Sequence, residues 1–94
     1  MPAPATSIEE QLVRLQALAQ TAADQSLAAG PSWLADASLD ALEKIRVLRA
    51  NAGVNMALLP RGDDLRAHLG ANWVDLHGDV RRLVLEIGRS VDGM

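Results

Sequence analysis

Residues 65–87 read LRAHLGANWVDLHGDVRRLVLEI, and the fold turns on whether they form one helix or several. Leu65, Leu69, Trp73, Leu76, Val80, Leu83 and Ile87 follow one another at spacings of 4, 4, 3, 4, 3 and 4. That is close to a heptad seam, and it predicts a single helix of about seven turns. Gly70 is the weak point, because an interior Gly costs about 1 kcal/mol against Ala. The alternative is a tight turn at Gly70-Ala71-Asn72 between two helices. The chain is expected to fray after Gly88, around Ser90, leaving residues 91–94 as a tail.

Upstream of this seam, Pro60-Arg61-Gly62-Asp63 marks a break, with Asp63 or Asp64 capping the helix that follows. Before it, Leu39, Leu42, Ile45, Leu48, Ala52, Met56 and Leu59 hold helical spacing up to Pro60. Asn51-Ala52-Gly53 offers an early stop, but the stripe continues on both sides of Gly53 and predicts that the helix runs through. Ser32 to Ser38 reads as a connector, with Trp33 and Leu34 as an apolar plug and Asp36 or Ser38 as the cap. The first helix opens at Ser7-Ile8-Glu9-Glu10, which has the form of a capping box. Ile8, Leu12, Leu15, Ala19, Ala22 and Ser26 form its apolar face, and Gly30-Pro31 ends it.

These segments predict an all-α fold: a small antiparallel helical bundle of three long helices, or four if the chain breaks at Gly53 or Gly70. The expected organisation is a flexible leader over residues 1–6, one bundle domain over residues 7–90, and the tail. Composition agrees. Of 94 residues, 49% are apolar, and only two are aromatic, both Trp. Straight-chain and Ala residues lose little freedom in a helix, whereas strand formers are few. There is no Cys, hence no disulfide framework and no thiolate metal site. Residues 1–6 lack the positive start and apolar block of a signal peptide, and no stretch approaches a membrane span. The expected location is the cytoplasm.

Candidate chemistry is sparse. His68 and His77 are nine positions apart, so on one straight helix they point in opposite directions. Asp64 and His68 make at most half a metal site, and no metal or cofactor is expected. Asp63-Asp64 reads as a helix start, not a catalytic pair, because acid–base work needs a pocket that shifts a pKa. Arg14, Glu43, Lys44 and Arg46 supply residue types for a small helical enzyme but no recognisable order, and the chain is read as no enzyme. Arg61-Gly62-Asp63 spells an adhesion tripeptide, which matches by chance too often to carry function.

The net charge is −3, and the longest basic run is Arg81-Arg82. That argues against nucleic acid as a partner. A helix-turn-helix over roughly residues 65–85 is nonetheless the second reading, although its recognition helix would present Asp75 and Asp79 to the phosphates. The first reading is a non-enzymatic helical protein–protein interaction module of adaptor, anti-activator or assembly and secretion chaperone type. It would bind another protein, itself as a homodimer, or both, with no membrane or small-molecule substrate inferred. Val74, Gly78 and Leu85 are off the seam and align on one helix, with Gly78 leaving room for a second backbone. Arg81 and Arg82 would flank that face, and Val13, Leu27, Val47 and Val54 are off the stripes of their own helices.

Overall fold

The protein is described here by a computed structural model covering residues 7–93; the expected leader over residues 1–6 and the final Met94 lie outside these residues. The described residues form five α-helices and one 3-10 turn, with no strand. In chain order they are α1 (Ile8–Ala29), α2 (Ser32–Val54), the 3-10 turn Met56–Leu58, α3 (Asp64–Leu69), α4 (Ala71–Leu76) and α5 (Gly78–Asp92). The fold is all-α, a small helical bundle, as the sequence predicts.

α1 follows its sequence closely. Ser7 Oγ accepts the Glu10 backbone N–H at 3.1 Å, satisfying one of the free donors of the first turn. Ile8, Leu12, Leu15, Ala19, Ala22 and Ser26 are all buried. Gly30 ends the helix in an extended conformation (φ −92°, ψ 169°), so the left-handed cap usual for Gly is not used. Gly fits there for another reason, the tight space left for a side chain. A Cβ would stand 3.0 Å from the Ser26 Cα and 3.1 Å from its carbonyl oxygen.

α2 returns alongside α1 and starts earlier than expected. There is no connector to Ser38, because the helix begins at Ser32 with Pro31 as its cap residue. The Pro31 carbonyl accepts the N–H groups of Leu34 and Ala35 at 3.0 and 3.3 Å. With that start, Ala35, Ser38, Ala41, Leu42, Ile45, Leu48 and Ala52 turn inward. Leu39, expected in the core, is exposed, and so is Trp33, expected as a plug. Ser38 is a buried side chain instead of a cap. Its hydroxyl donates to the Leu34 carbonyl at 2.8 Å and accepts the Trp73 indole N–H at 2.9 Å.

The expected run through Gly53 to Pro60 fails just past the glycine. α2 stops at Val54, and Asn55 is extended (φ −159°, ψ 115°). The Asn55 side chain accepts the Ala57 N–H at 3.0 Å, a local bond that competes with helix continuation. Leu59 still reaches the core, and Met56 packs against it half-buried.

The 65–87 seam is not one helix. Gly70 takes φ +101° and ψ 99°, and His77 is extended at φ −120° and ψ 99°. These two breaks divide the seam into α3, α4 and α5. Each resets the helical phase, which exchanges two residues across the surface. Leu76, a seam position, is 57% exposed, while Val74, off the seam, is 0% exposed. Leu65, Leu69, Trp73, Val80, Leu83 and Ile87 remain buried. α5 lies antiparallel on α1, with Asp79 beside Gln25 at one end and Glu86 beside Arg14 farther along. α3 and α4 fill the space between α2 and α5.

α5 does not fray after Gly88; it continues to Asp92, and Val91 is buried. Gly88 is where the Pro60-to-Asp63 turn rests on the helix. Gly62, at φ +51°, donates its N–H to the Gly88 carbonyl at 3.1 Å. A Cβ on Gly88 would overlap the Gly62 carbonyl oxygen and stand 3.0 Å from its carbon. Neither group is the movable end of a side chain.

Gly88→Ala should therefore destabilise the bundle by about 1–3 kcal/mol through overpacking. It should appear as a lower urea midpoint at unchanged slope; a wild-type midpoint would mean that the Gly62 turn shifts freely. Ser38→Ala leaves the buried Trp73 N–H without its partner and should cost about 1–3 kcal/mol. Thermal unfolding of that variant checks it, and an unchanged Tm would refute the dependence.

Candidate functional site

The face expected from the sequence is only partly assembled. Gly78, Arg81, Arg82 and Leu85 do share one stripe of α5 at spacings of three and four. Gly78 is exposed, with nothing within 4 Å of an added Cβ. Arg81 and Arg82 are exposed and Leu85 is half-buried. Val74 does not join them. The break at His77 places it in a separate helix, and its side chain belongs to the core. The stripe therefore loses the residue that was to be its apolar end.

Three other places gather residues of interest. Between α1 and α2, a groove of about 470 Å³ is lined by Glu9, Leu12, Val13 and Gln16 opposite Arg46, Arg49 and Ala50. Arg49 Nη1 donates to Gln16 Oε1 at 2.5 Å, and Arg46 lies 3.7 Å from Glu43. Both guanidiniums thus have partners within the chain.

A second groove, of about 350 Å³, lies where α2 meets the Gly70 turn. Trp33, Ala37 and Asp40 form one wall, and residues 69–73 form the other. Trp33, Ala37 and Asp40 recur at spacings of four and three, so they line one face of α2. That face is about two fifths of a turn away from the core stripe of Ser38, Leu42 and Ile45. The Trp33 indole is 57% exposed, whereas Trp73, across the groove, is 2% exposed. Leu76 follows Asn72 by four residues on α4, is exposed, and stands outside the groove lining. Asp40 is paired with Lys44 at 2.9 Å on the solvent side. Sequence reading missed this surface because it placed Trp33 in a connector. The helical phase of α2 becomes legible only once Pro31 is taken as the cap.

The third place is an ion cluster across the two helix breaks. Asp75 on α4 receives a bidentate pair of hydrogen bonds from Arg66 on α3, the Nε to Oδ1 bond being 2.9 Å. Arg81 on α5 approaches within 3.6 Å. The hydrogen-bonded Arg66 guanidinium holds the Asp75 carboxyl below its ordinary value, against a smaller upward pull from desolvation. The same bond raises the Arg66 pKa. Asp75, expected outward on a recognition helix, thus joins the two short helices α3 and α4 to the start of α5. His77 has its Nδ1 3.0 Å from the Trp73 carbonyl, and its ring centroid is 5.4 Å from that of Trp73. His68 is exposed on α3. Among the described residues no three His, Cys, Asp or Glu side chains are grouped to hold a metal ion. No helix among these residues is long and apolar enough to cross a membrane.

Because the folded-state pKa of Asp75 lies below its unfolded value, its stabilising effect is complete above that unfolded value. It is lost as pH falls through the folded one. Wild type should therefore exceed Arg66→Ala in urea midpoint at neutral pH, with the gap closing as pH drops below about 4. A gap that persists unchanged at about pH 2 would refute the assignment.

In comparisons with known proteins, the chain matches no family model, and no curated protein or solved structure matches it.

Proposed function

We propose that this chain is a non-enzymatic helical protein–protein interaction module, of adaptor, anti-activator or assembly and secretion chaperone type. Its docking surface is centred on Trp33 and Leu76. The observation that carries this reading is the exposure of Trp33 at the rim of a ready-formed apolar groove.

Single exposed aliphatics are ordinary on a folded surface. Trp33 is different in kind. It is one of two aromatic residues in the chain, and it stands at 57% exposure beside a floor built from Ala37, Leu69, Ala71 and Trp73. Trp is enriched among the few residues that dominate binding energy, because one side chain removes a large apolar area from water. Fully burying a side chain the size of Leu76 is worth about 1.5–3 kcal/mol. Burying both against one partner supplies the apolar centre of an interface, with Asp40 and Asn72 on its polar edge.

The α5 stripe of Gly78, Arg81, Arg82 and Leu85 is secondary in this reading, since without Val74 it offers one half-buried aliphatic side chain. An arginine-lined edge of that kind suits contacts at the margin of an interface.

The test is affinity capture from the cells that make the protein, comparing wild type with Trp33→Ser and Leu76→Ser variants of wild-type helicity. A partner retained by wild type and lost by both variants is the expected result. A partner retained equally by all three would overturn the docking surface. Light scattering across a concentration series distinguishes a second copy as the occupant: a mass that rises with concentration in wild type and not in Trp33→Ser assigns the surface to a homodimer.

A further inference from the structure

We infer that the Arg61–Gly62 bond is a processing site. It is the bond at which the folded chain is cut by an endopeptidase that takes arginine on the carbonyl side, and the two pieces stay together as a nicked bundle. The inference does not depend on the docking role above.

Position along the chain comes first. Among the described residues, Arg61 is the only Lys or Arg outside a helix. A protease needs its substrate extended across the cleft, and a helix offers that only after several hydrogen bonds between residues four apart are lost. Exposed connecting segments are the preferred places of cutting for this reason. Residues 55–63 form the connector between α2 and α3. Arg61 is exposed, and among the described residues no ion pair holds its guanidinium. It is therefore ready to enter a carboxylate-floored specificity pocket.

Two backbone bonds guard the cut. The Gly62 N–H donates to the Gly88 carbonyl at 3.1 Å, and the Asp64 N–H to the Arg61 carbonyl at 2.9 Å. Leu59, two residues before Arg61, is buried, so the connector has to lift from the core first. That lift is a local opening and leaves the helices in place. The rival positions are held harder. Arg66 lies within α3 and is tied to Asp75 by two hydrogen bonds. The Arg89 carbonyl accepts the Gly93 N–H at 3.0 Å, and Val91 between them is buried.

The reaction is a hydrolysis. Water adds its hydroxyl to the Arg61 carbonyl carbon and its hydrogen to the Gly62 nitrogen, leaving a carboxylate and an amine with nothing oxidised or reduced. The pieces are residues 1–61, carrying α1 and α2, and residues 62–94, carrying α3, α4 and α5. Leu65, Trp73 and Ile87 of the second piece share one core with Leu12, Leu15 and Ile45 of the first, and Trp73 keeps its hydrogen bond to Ser38. Neither piece buries that surface alone, so the core holds the pieces together. What the cut removes is the tether. A short linker keeps its ends at an effective concentration of about millimolar, and without it the stability of the bundle depends on protein concentration.

The experiment treats the whole folded chain with a trace of trypsin and follows intact masses with time. The first products should be residues 1–61 and 62–94, appearing together and coeluting on gel filtration of a concentrated sample. The urea midpoint of the nicked protein should fall on dilution more steeply than that of the uncut chain. Arg61→Gln should lengthen the life of the intact chain about tenfold. Gly88→Ala, which pushes on the turn, should speed the cut about tenfold. Ser38→Ala, toward the far end of α2, should change it less than about twofold, because it weakens the bundle without loosening the connector. A first cut at any other Lys or Arg would overturn the inference, as would an Arg61→Gln chain cut as fast as wild type. So would equal rates in Gly88→Ala and Ser38→Ala, or pieces that separate in the concentrated sample.

Discussion

A buried indole needs a partner for its N–H, and much of this bundle follows from how Trp73 finds one. The donor reaches Ser38 on α2, and the Ser38 hydroxyl in turn donates a hydrogen bond to the Leu34 carbonyl. No member of that relay is left unsatisfied, which is the condition for a polar group to reside in a core. The relay also holds α4 against α2. With only six residues, α4 is far too short to be stable by itself. Its position is a tertiary decision, and the two breaks around it let Trp73 and Val74 face inward together.

Close backbone approach is the second constraint. Small residues, Ala19, Ala22 and Ala23 on α1 with Ala35 and Ala41 on α2, are buried in the half of the hairpin toward its Gly30 turn. Gly62 and Gly88 bring the loop after α2 onto α5 by main-chain contact. In a chain with so few large aromatic side chains, density comes from proximity instead of bulk. That makes the bundle sensitive to added atoms at positions where the sequence shows only a glycine.

The surface reflects the same choices. Trp73 occupies the core position between α2 and the Gly70 turn, and Trp33, one face away on α2, is left outside. An exposed Trp and a buried one line the same groove, together with Ala37 and Ala71. The carboxylate at its rim, Asp40, is paired with Lys44 on the same helix. The arginines gather elsewhere, Arg46 and Arg49 over the α1–α2 groove and Arg66 and Arg81 around Asp75.

Helix content, the Ser7 cap, the buried face of α1 and the stop at Gly30 were legible in the sequence, because capping and a 3.6-residue period act within a few residues of one another. Most core positions of the 65–87 segment were legible too, since six of its seven seam residues are buried. The break at Gly70 was legible only as an alternative to the single helix, and neither the break at His77 nor the exchange of Val74 for Leu76 was legible. A heptad pattern scores spacing along the chain, and a single extended residue resets the phase without disturbing most of that spacing. The outward face of Trp33 was hidden for a related reason: Pro31 caps through its carbonyl, with no side chain to announce the start of α2. The amino-acid order by itself thus determined that helices form and where the first one starts and stops. Which aromatic is buried and which aliphatics meet solvent were decided by tertiary structure, because they depend on groups tens of residues apart satisfying one another's hydrogen bonds and volumes.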